Sequence, residues 1–427
     1  MTPVAEARQE ATSATGLLRL VALGALIGIP AALVAALFLA LVHELEHWLW
    51  DELPDRLGAS SPPWYLVIGL PVVGAALVLA GRTLLPGDGG HRPLEGLGAG
   101  PTPVEHAPGI AVAALGTLAF GAVLGPEAPL IALGSVVGVA VTRMVRLGPR
   151  ESAVLGTAGS FSAISALFGG PIVAGMLMLE GGLAMGAALL PALLPGLVAA
   201  AVGYVLFVGL GDWGGLDTTA LAVPGLPQYD GTHVLDLLVA VIVGVAAALV
   251  VTAVRRAAAR VDAESRRRGT AALLLGGALA VGLLAQLADV LGGDSQDVLF
   301  SGQASVPDVV AEGSVGILLV LLVAKALGYA VSLGCGFRGG PVFPAIFLGV
   351  ALATFAVIAF DVSPTLAVAV GAGAGMAAGT RLLFSSLLFA ALLVGRPGLD
   401  AVPAVVLAIA AAWLTTAALD ARLRSPA

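Results

Sequence analysis

Glu127 is the residue whose type and setting most plainly call for chemistry. It stands in Gly125-Pro126-Glu127-Ala128-Pro129, a carboxylate flanked by apolar sequence. Acids inside apolar, membrane-length segments are rare and functional by default. The surrounding pattern returns later: residues 125–134 and 340–349 both fit G-P-x-x-P-x-x-x-L-G and lie 215 residues apart. In each copy a glycine turn precedes a proline-started helix, where the missing proline N–H costs nothing. The free N–H groups of such a first turn, with the helix dipole, favour a negative charge. Two broken helices aimed at one point would hold an anion without a full positive side chain, and so without trapping it. Glu127 is then an anion on a tether, able to occupy the place a free anion would take. Desolvation and the helix dipole act on its proton in opposite directions, so it suits a gate that also carries a proton. The alternatives are a Gly/Pro kink in a packed helix and a carboxylate that merely caps its own helix.

Other polar residues stand out less. Glu180 closes the apolar run 171–179 and reads equally as a proton-entry residue or a boundary charge. Lys325, the only lysine, lies inside an apolar span and is expected to snorkel to an interface. Arg338, before the second motif, would add positive potential at an anion vestibule, and Arg381 suits a cytoplasmic turn. His43 and His47 have the i, i+4 spacing of metal sites. With Glu44 and Glu46 between them at the end of the first apolar run, they read instead as an interfacial polar cap.

The elements that position these residues must be membrane helices. The chain has 427 residues, 59% hydrophobic and 11% charged, with a mean hydropathy of +1.02. Soluble domains carry about 25% charged residues. The runs 16–42, 187–210, 235–254 and 313–335 each reach the roughly 20 residues that cross a bilayer core. They are continuous, without the alternation of a barrel strand. The first is too long for a signal peptide and lacks a cleavage site. The single cysteine, Cys335, excludes an internal disulfide. Arginines cluster at 143–150 and in an expected loop at 255–268, so both should face the cytoplasm. Acidic loops at 46–56, 212–230 and 289–312 suit the other side, and both termini are expected in the cytoplasm.

Short segments broken by Gly and Pro, at corresponding places in two halves, point to a site at the membrane midplane. Downstream spacing supports a duplication: Ala158-Gly159 follows Pro129 by 29 residues and Ala374-Gly375 follows Pro344 by 30. Each pair is expected to begin a small-residue helix. The expected organisation is one transmembrane domain over 1–427. It would comprise a cytoplasmic tail (1–15), a first repeat over about 16–211 and a second over about 235–420.

At these residues the chain resembles the CLC family of chloride channels and chloride/proton exchangers. Gly125-Pro126-Glu127-Ala128-Pro129 is similar to the family's G-[KR]-E-G-P with its gating glutamate, and Gly340-Pro341-Val342-Phe343-Pro344 to its G-x-F-x-P. The stretch Phe168-Gly169-Gly170-Pro171 to Glu180 resembles the F-N-A-P helix ending in paired glutamates. The likeness runs from about residue 20 to 420. It implies an all-α, polytopic, inverted-repeat bundle of tilted and broken helices. It also implies a homodimer in the cell membrane with an anion pathway in each subunit. Gly89-Gly90-His91-Arg92-Pro93 stands where the family has G-S-G-I-P, without the serine that contacts the anion. The second paired glutamate is Gly181, and the family's late tyrosine has no counterpart. Pro341 cannot donate an N–H, so Val342 and Phe343 must supply those contacts. The resulting candidate site has Glu127 and Glu180 for gating and protons. Gly90, His91, Gly125, Pro126, Ala128, Gly340, Val342 and Phe343 would hold the anion.

The leading expectation is transport of chloride or another small anion, gated by Glu127 and channel-like or loosely coupled to protons. The alternatives are strict chloride/proton exchange and a degenerate receptor or scaffold that transports nothing. The expected partners are the anion, a proton, the lipid bilayer and a second copy of the chain. No enzyme activity, cofactor, metal or nucleic acid is expected.

Overall fold

The computed structural model describes residues 14–98, 100–183, 189–214 and 221–424. Most of the expected tail, and Asp217 of the acidic loop, lie outside them. Among the described residues, fourteen helices are eleven residues or longer. They are α1 (Ala14–His47), α2 (Trp64–Thr83), α3 (Ala107–Leu118), α4 (Glu127–Met144), α5 (Pro149–Leu167), α6 (Pro171–Gly181) and α7 (Leu189–Gly214). Then follow α8 (Val234–Arg268), α9 (Thr270–Val290), α10 (Val315–Gly334), α11 (Val342–Phe360), α12 (Pro364–Thr380), α13 (Phe384–Val394) and α14 (Val402–Arg424). Nine segments among the described residues are long and apolar enough to cross a membrane, so the chain is an all-α, multi-pass membrane protein.

A seven-helix order runs twice. α1 and α8 have 34 and 35 residues, α4 and α11 have 18 and 19, and α6 and α13 have 11 each. α5 and α12 both start at a proline that follows the preceding helix by a short turn. Ala158-Gly159 and Ala374-Gly375 do not begin helices, contrary to expectation. They sit in the middle of α5 and α12, because Pro149 and Pro364 supply the first-turn residue earlier.

Two compact units emerge from the packing. Of the described residues, one holds those within 14–37, 100–104 and 130–214; the other holds those within 38–98, 105–129 and 221–424. In the first, α5 lies on α4 through Gly134, Gly138 and Gly159, whose Cα atoms face the opposing backbone with no room for a side chain. Ser162 and Ser165 donate to the carbonyls of Gly28 (2.8 Å) and Ala200 (3.1 Å), satisfying polar groups away from water. In the second, Gly349, Gly371 and Gly375 bring α11 and α12 into the same backbone contact. Small residues replace hydrophobic burial as the means of helix association in lipid.

The expected arginine loop at 255–268 is instead the end of α8. Asp262 pairs with Arg266 and Glu264 with Arg268, one turn apart, and Ala, Arg and Glu favour the helix. At 35 residues α8 is about 50 Å long. That exceeds a bilayer core of about 30 Å, so the basic end extends past the apolar part.

Candidate anion site

Gly125 and Gly340 form an isolated antiparallel bridge. The Gly125 N–H donates to Gly340 O at 2.8 Å, and the Gly340 N–H to Gly125 O at 2.5 Å. Equivalent residues of the two motifs therefore face each other about a local two-fold axis. Two further bonds obey the same symmetry. The Val123 N–H donates to Ser332 Oγ at 3.0 Å, and the Arg338 N–H donates to Thr117 Oγ1 at 3.1 Å. Positions 123 and 338, like 117 and 332, are 215 residues apart. The end of α3 thus holds the loop before α11, and the end of α10 holds the loop before α4.

This joint places two helix starts side by side. α4 begins at Glu127 after Pro126, and α11 begins at Val342 with Pro341 as its N-terminal cap. The Glu127 side chain is wholly buried and crosses to the start of α11. Its Oε1 accepts the Phe343 N–H at 3.0 Å. The N–H groups of Val342 and of Glu127 itself also bear on the carboxylate. Oε2 is buried without a hydrogen-bond partner, against Gly125 and Gly340. A methyl group on either glycine would collide with the carboxylate, so both must lack a side chain. Phe343 is buried edge-on to Phe389, with ring centres 5.8 Å apart. Ala128 is buried in the first turn of α4.

Gly90 and His91 belong to the same unit. Residues 87–90 all hold positive φ (92°, 49°, 70° and 97°), a run that suits glycine at three of the four positions. The Gly90 N–H closes this turn onto Gly87 O at 3.0 Å. The ring of His91 faces Gly98, and its Nε2 is buried without a partner. Asp88 is the exception in the run, clamped by two arginines. Arg82 Nε donates to Oδ1 at 2.9 Å, and Arg338 Nη2 donates to Oδ2 at 2.6 Å. Partial burial works to raise the Asp88 pKa, but the hydrogen bonds and charges of Arg82 and Arg338 outweigh it and hold the carboxyl below its usual range. Arg338, expected as a vestibule charge, shares Asp88 with Arg82 and also donates to the carbonyls of Asp88 and Gly336.

Lys325 corrects another expectation. It does not snorkel: it is fully buried and donates to Asp297 O at 3.0 Å and Leu299 O at 2.6 Å, with the Phe347 ring centre 4.6 Å away. Carbonyls in the short helix Ser295–Val298 (Asp297) and just after it (Leu299) reach its ammonium within the fold, so the side chain need not extend to an interface. Glu180 lies in the last turn of α6, half-buried, in the other compact unit. Arg381 caps α12 in a left-handed conformation and pairs with Asp420, as a turn residue should. Among the described residues no cluster of His, Cys, Asp or Glu is placed to hold a metal.

Tyr329 is a site residue that the sequence reading missed. It is buried in α10, and its hydroxyl donates to Pro341 O at 2.6 Å, at the start of α11. Its one visible signal was a phenol inside the apolar run 313–335.

Known proteins resemble this chain in sequence and in fold. The family described as "Voltage gated chloride channel" matches residues 89–416. The chain is 31% identical over 337 residues to "Putative ion-transport protein YfeO" of Escherichia coli (strain K12 / DH10B), covering 76% of each chain. Its fold is similar to the crystal structure of a slow cyanobacterial Cl-/H+ antiporter, with a TM-score of 0.77 and 17% identity over 94% of this chain and 95% of that one. It is also similar to a CLC-type fluoride/proton antiporter, with a TM-score of 0.72 and 22% identity over 95% and 97% of the two chains.

Proposed function

Because the chain belongs to the voltage gated chloride channel (CLC) family, a family of anion transporters, we propose that Glu127 gates a path for chloride or a similar small anion in each subunit. The observation that carries this reading is the Glu127 carboxylate lying on the Phe343 N–H at the start of α11. A carboxylate held by main-chain N–H groups marks where a free anion is stabilised. Protonation removes its charge and frees the N–H groups for the transported ion. Gly125, Pro126, Ala128, Gly340, Val342 and Phe343 shape this place; Gly90 and His91 are further residues for holding the anion, and Glu180 is a second proton residue.

The organisation that supports the gate is a pair of repeats, about 16–211 and 235–420, whose motifs meet at Gly125 and Gly340. Each half carries seven helices, an odd number, which suits opposite orientations in the bilayer. Basic residues in the last turns of α8 suit a cytoplasmic face there, with both termini on that side and two chains per assembly. Coupling to protons is loose in this reading, because Gly181 follows Glu180 where a second acid would stand. The second reading is strict exchange, favoured by two solved structures of similar fold, both proton antiporters.

The test is anion efflux from liposomes holding purified wild type or Glu127→Ala. Wild type should release chloride, nitrate or fluoride above empty vesicles, and Glu127→Ala should release it without dependence on pH. Silence in both variants sinks the transport reading. Uphill anion movement driven by a pH gradient in wild type would replace loose coupling with strict exchange.

A further inference from the structure

Tyr329 meets the anion site from behind. Its hydroxyl donates to the carbonyl of Pro341 at 2.6 Å. That carbonyl and the Val342 N–H belong to one peptide unit, and this N–H bears on the Glu127 carboxylate. A hydrogen bond received at the carbonyl of a peptide polarises it and makes its N–H a better donor. The same bond fixes the plane of the peptide, and with it the aim of the N–H. The phenol is about 1% exposed and lies within electrostatic reach of both Glu127 and Arg255. Arg255, from α8, donates to Gly379 O at 3.0 Å and reaches Leu94 O at 3.5 Å. Tyr329 therefore sits among the gate residue, the start of α11 and an arginine of α8, with one hydroxyl engaged at the peptide that faces the anion.

We propose that Tyr329 is a positioning residue for the anion: through the Pro341–Val342 peptide it orients and strengthens the donor that faces the ion, and so sets affinity and selectivity. The inference rests on the proposed function of this site. It predicts an effect on binding with no effect on passage through the rest of the protein. An anion that concentrates its charge, such as fluoride, should depend on the polarised donor more than a diffuse one such as nitrate.

The test uses Tyr329→Phe, which keeps the ring and removes the hydroxyl. Chloride, fluoride and nitrate are titrated calorimetrically into detergent-solubilised Glu127→Ala and Glu127→Ala/Tyr329→Phe, where the carboxylate no longer competes. Flux is measured in liposomes for wild type and Tyr329→Phe. Loss of one net hydrogen bond's worth of stabilisation should weaken anion binding roughly two- to tenfold. Fluoride should lose most, and the half-saturating concentration for flux should rise while the maximal rate holds. Unchanged affinities and selectivity would overturn the inference. So would a merely structural effect, in which melting temperature and maximal rate fall together while half-saturation stays fixed. If Glu127→Ala binds none of the three anions, the site itself fails, and this inference with it. If it binds them but wild type moves none, transport fails while the binding comparison still decides the role of Tyr329.

Discussion

Gly125 and Gly340 exchange both of their main-chain hydrogen bonds, and the bonds around them come in pairs 215 residues apart. Around this joint Glu127 reaches the start of α11, so crowding at the glycines acts directly on its carboxylate.

Gly340→Ala should expel the Glu127 carboxylate, because the added methyl group takes the space of Oε2. The variant is expected to conduct like Glu127→Ala, without pH dependence, and to lose about 1–3 kcal/mol of stability from overpacking. Liposome flux and melting in detergent check both. A variant that stays stable and keeps wild-type pH dependence would mean that the carboxylate does not rely on this gap.

Ser332→Ala and Thr117→Val should cost alike. Each leaves a buried main-chain N–H, of Val123 or Arg338, without its acceptor. The expected loss is about 1–3 kcal/mol apiece. Unequal losses in paired melting curves would break the symmetry argument at its most local point.

Asp88→Asn should loosen the turn at residues 87–90 and expose the buried Arg338 to an unbalanced charge. The sign with pH follows from the lowered pKa of Asp88. The clamp contributes in full above the ordinary carboxyl pKa near 3.8, and its contribution is lost as pH falls through the lower folded value. Wild type and variant should therefore differ at neutral pH and converge under strongly acidic conditions. Melting measured across pH decides it.

Asp297 behaves in the opposite sense. Burial is the main cause that lifts its pKa from 3.8 to about 6, although Ser305 hydrogen-bonds against the rise and Lys325 also opposes it. The folded state prefers the protonated acid. Its contribution to stability is therefore complete below about 3.8 and lost as pH rises through about 6. Hydrogen exchange in residues 295–305 should quicken across that interval, and Asp297→Asn should abolish the change. Exchange rates indifferent to pH, after correction for intrinsic chemistry, would refute it.

Much of the centre was legible in the sequence because it is local. A proline-started helix after a glycine can be read from five residues, and an acid there identifies itself in an apolar chain. The partners from distant segments were not legible. Nothing near Thr117 announces a bond to residue 338, and nothing near Asp88 announces Arg338. Lys325 was misread because snorkelling assumes that no acceptor exists within the fold, whereas the segment around Asp297 and Leu299 provides two. The arginines at 255–268 carry the charge of a loop, but the helix propensity of Ala, Arg and Glu and the Asp262–Arg266 and Glu264–Arg268 pairs keep them in α8. Tyr329 was passed over because aromatic residues in apolar spans usually pack; its hydroxyl acquires meaning only from the fold that brings Pro341 beside it.

The bridge between Gly125 and Gly340 consists of main-chain atoms alone. Its geometry asks of the neighbouring positions only that they leave space, so it does not prescribe their chemistry. This chain carries Pro126 and Pro341 inside the two motifs, an aromatic displaced to Phe343, and Gly90 in place of a hydroxyl. The hinge point of the scaffold survives each of those exchanges. Substitutions at Pro126, Phe343 or Gly90 should therefore leave the joint itself standing, whatever they do to the chemistry beside it.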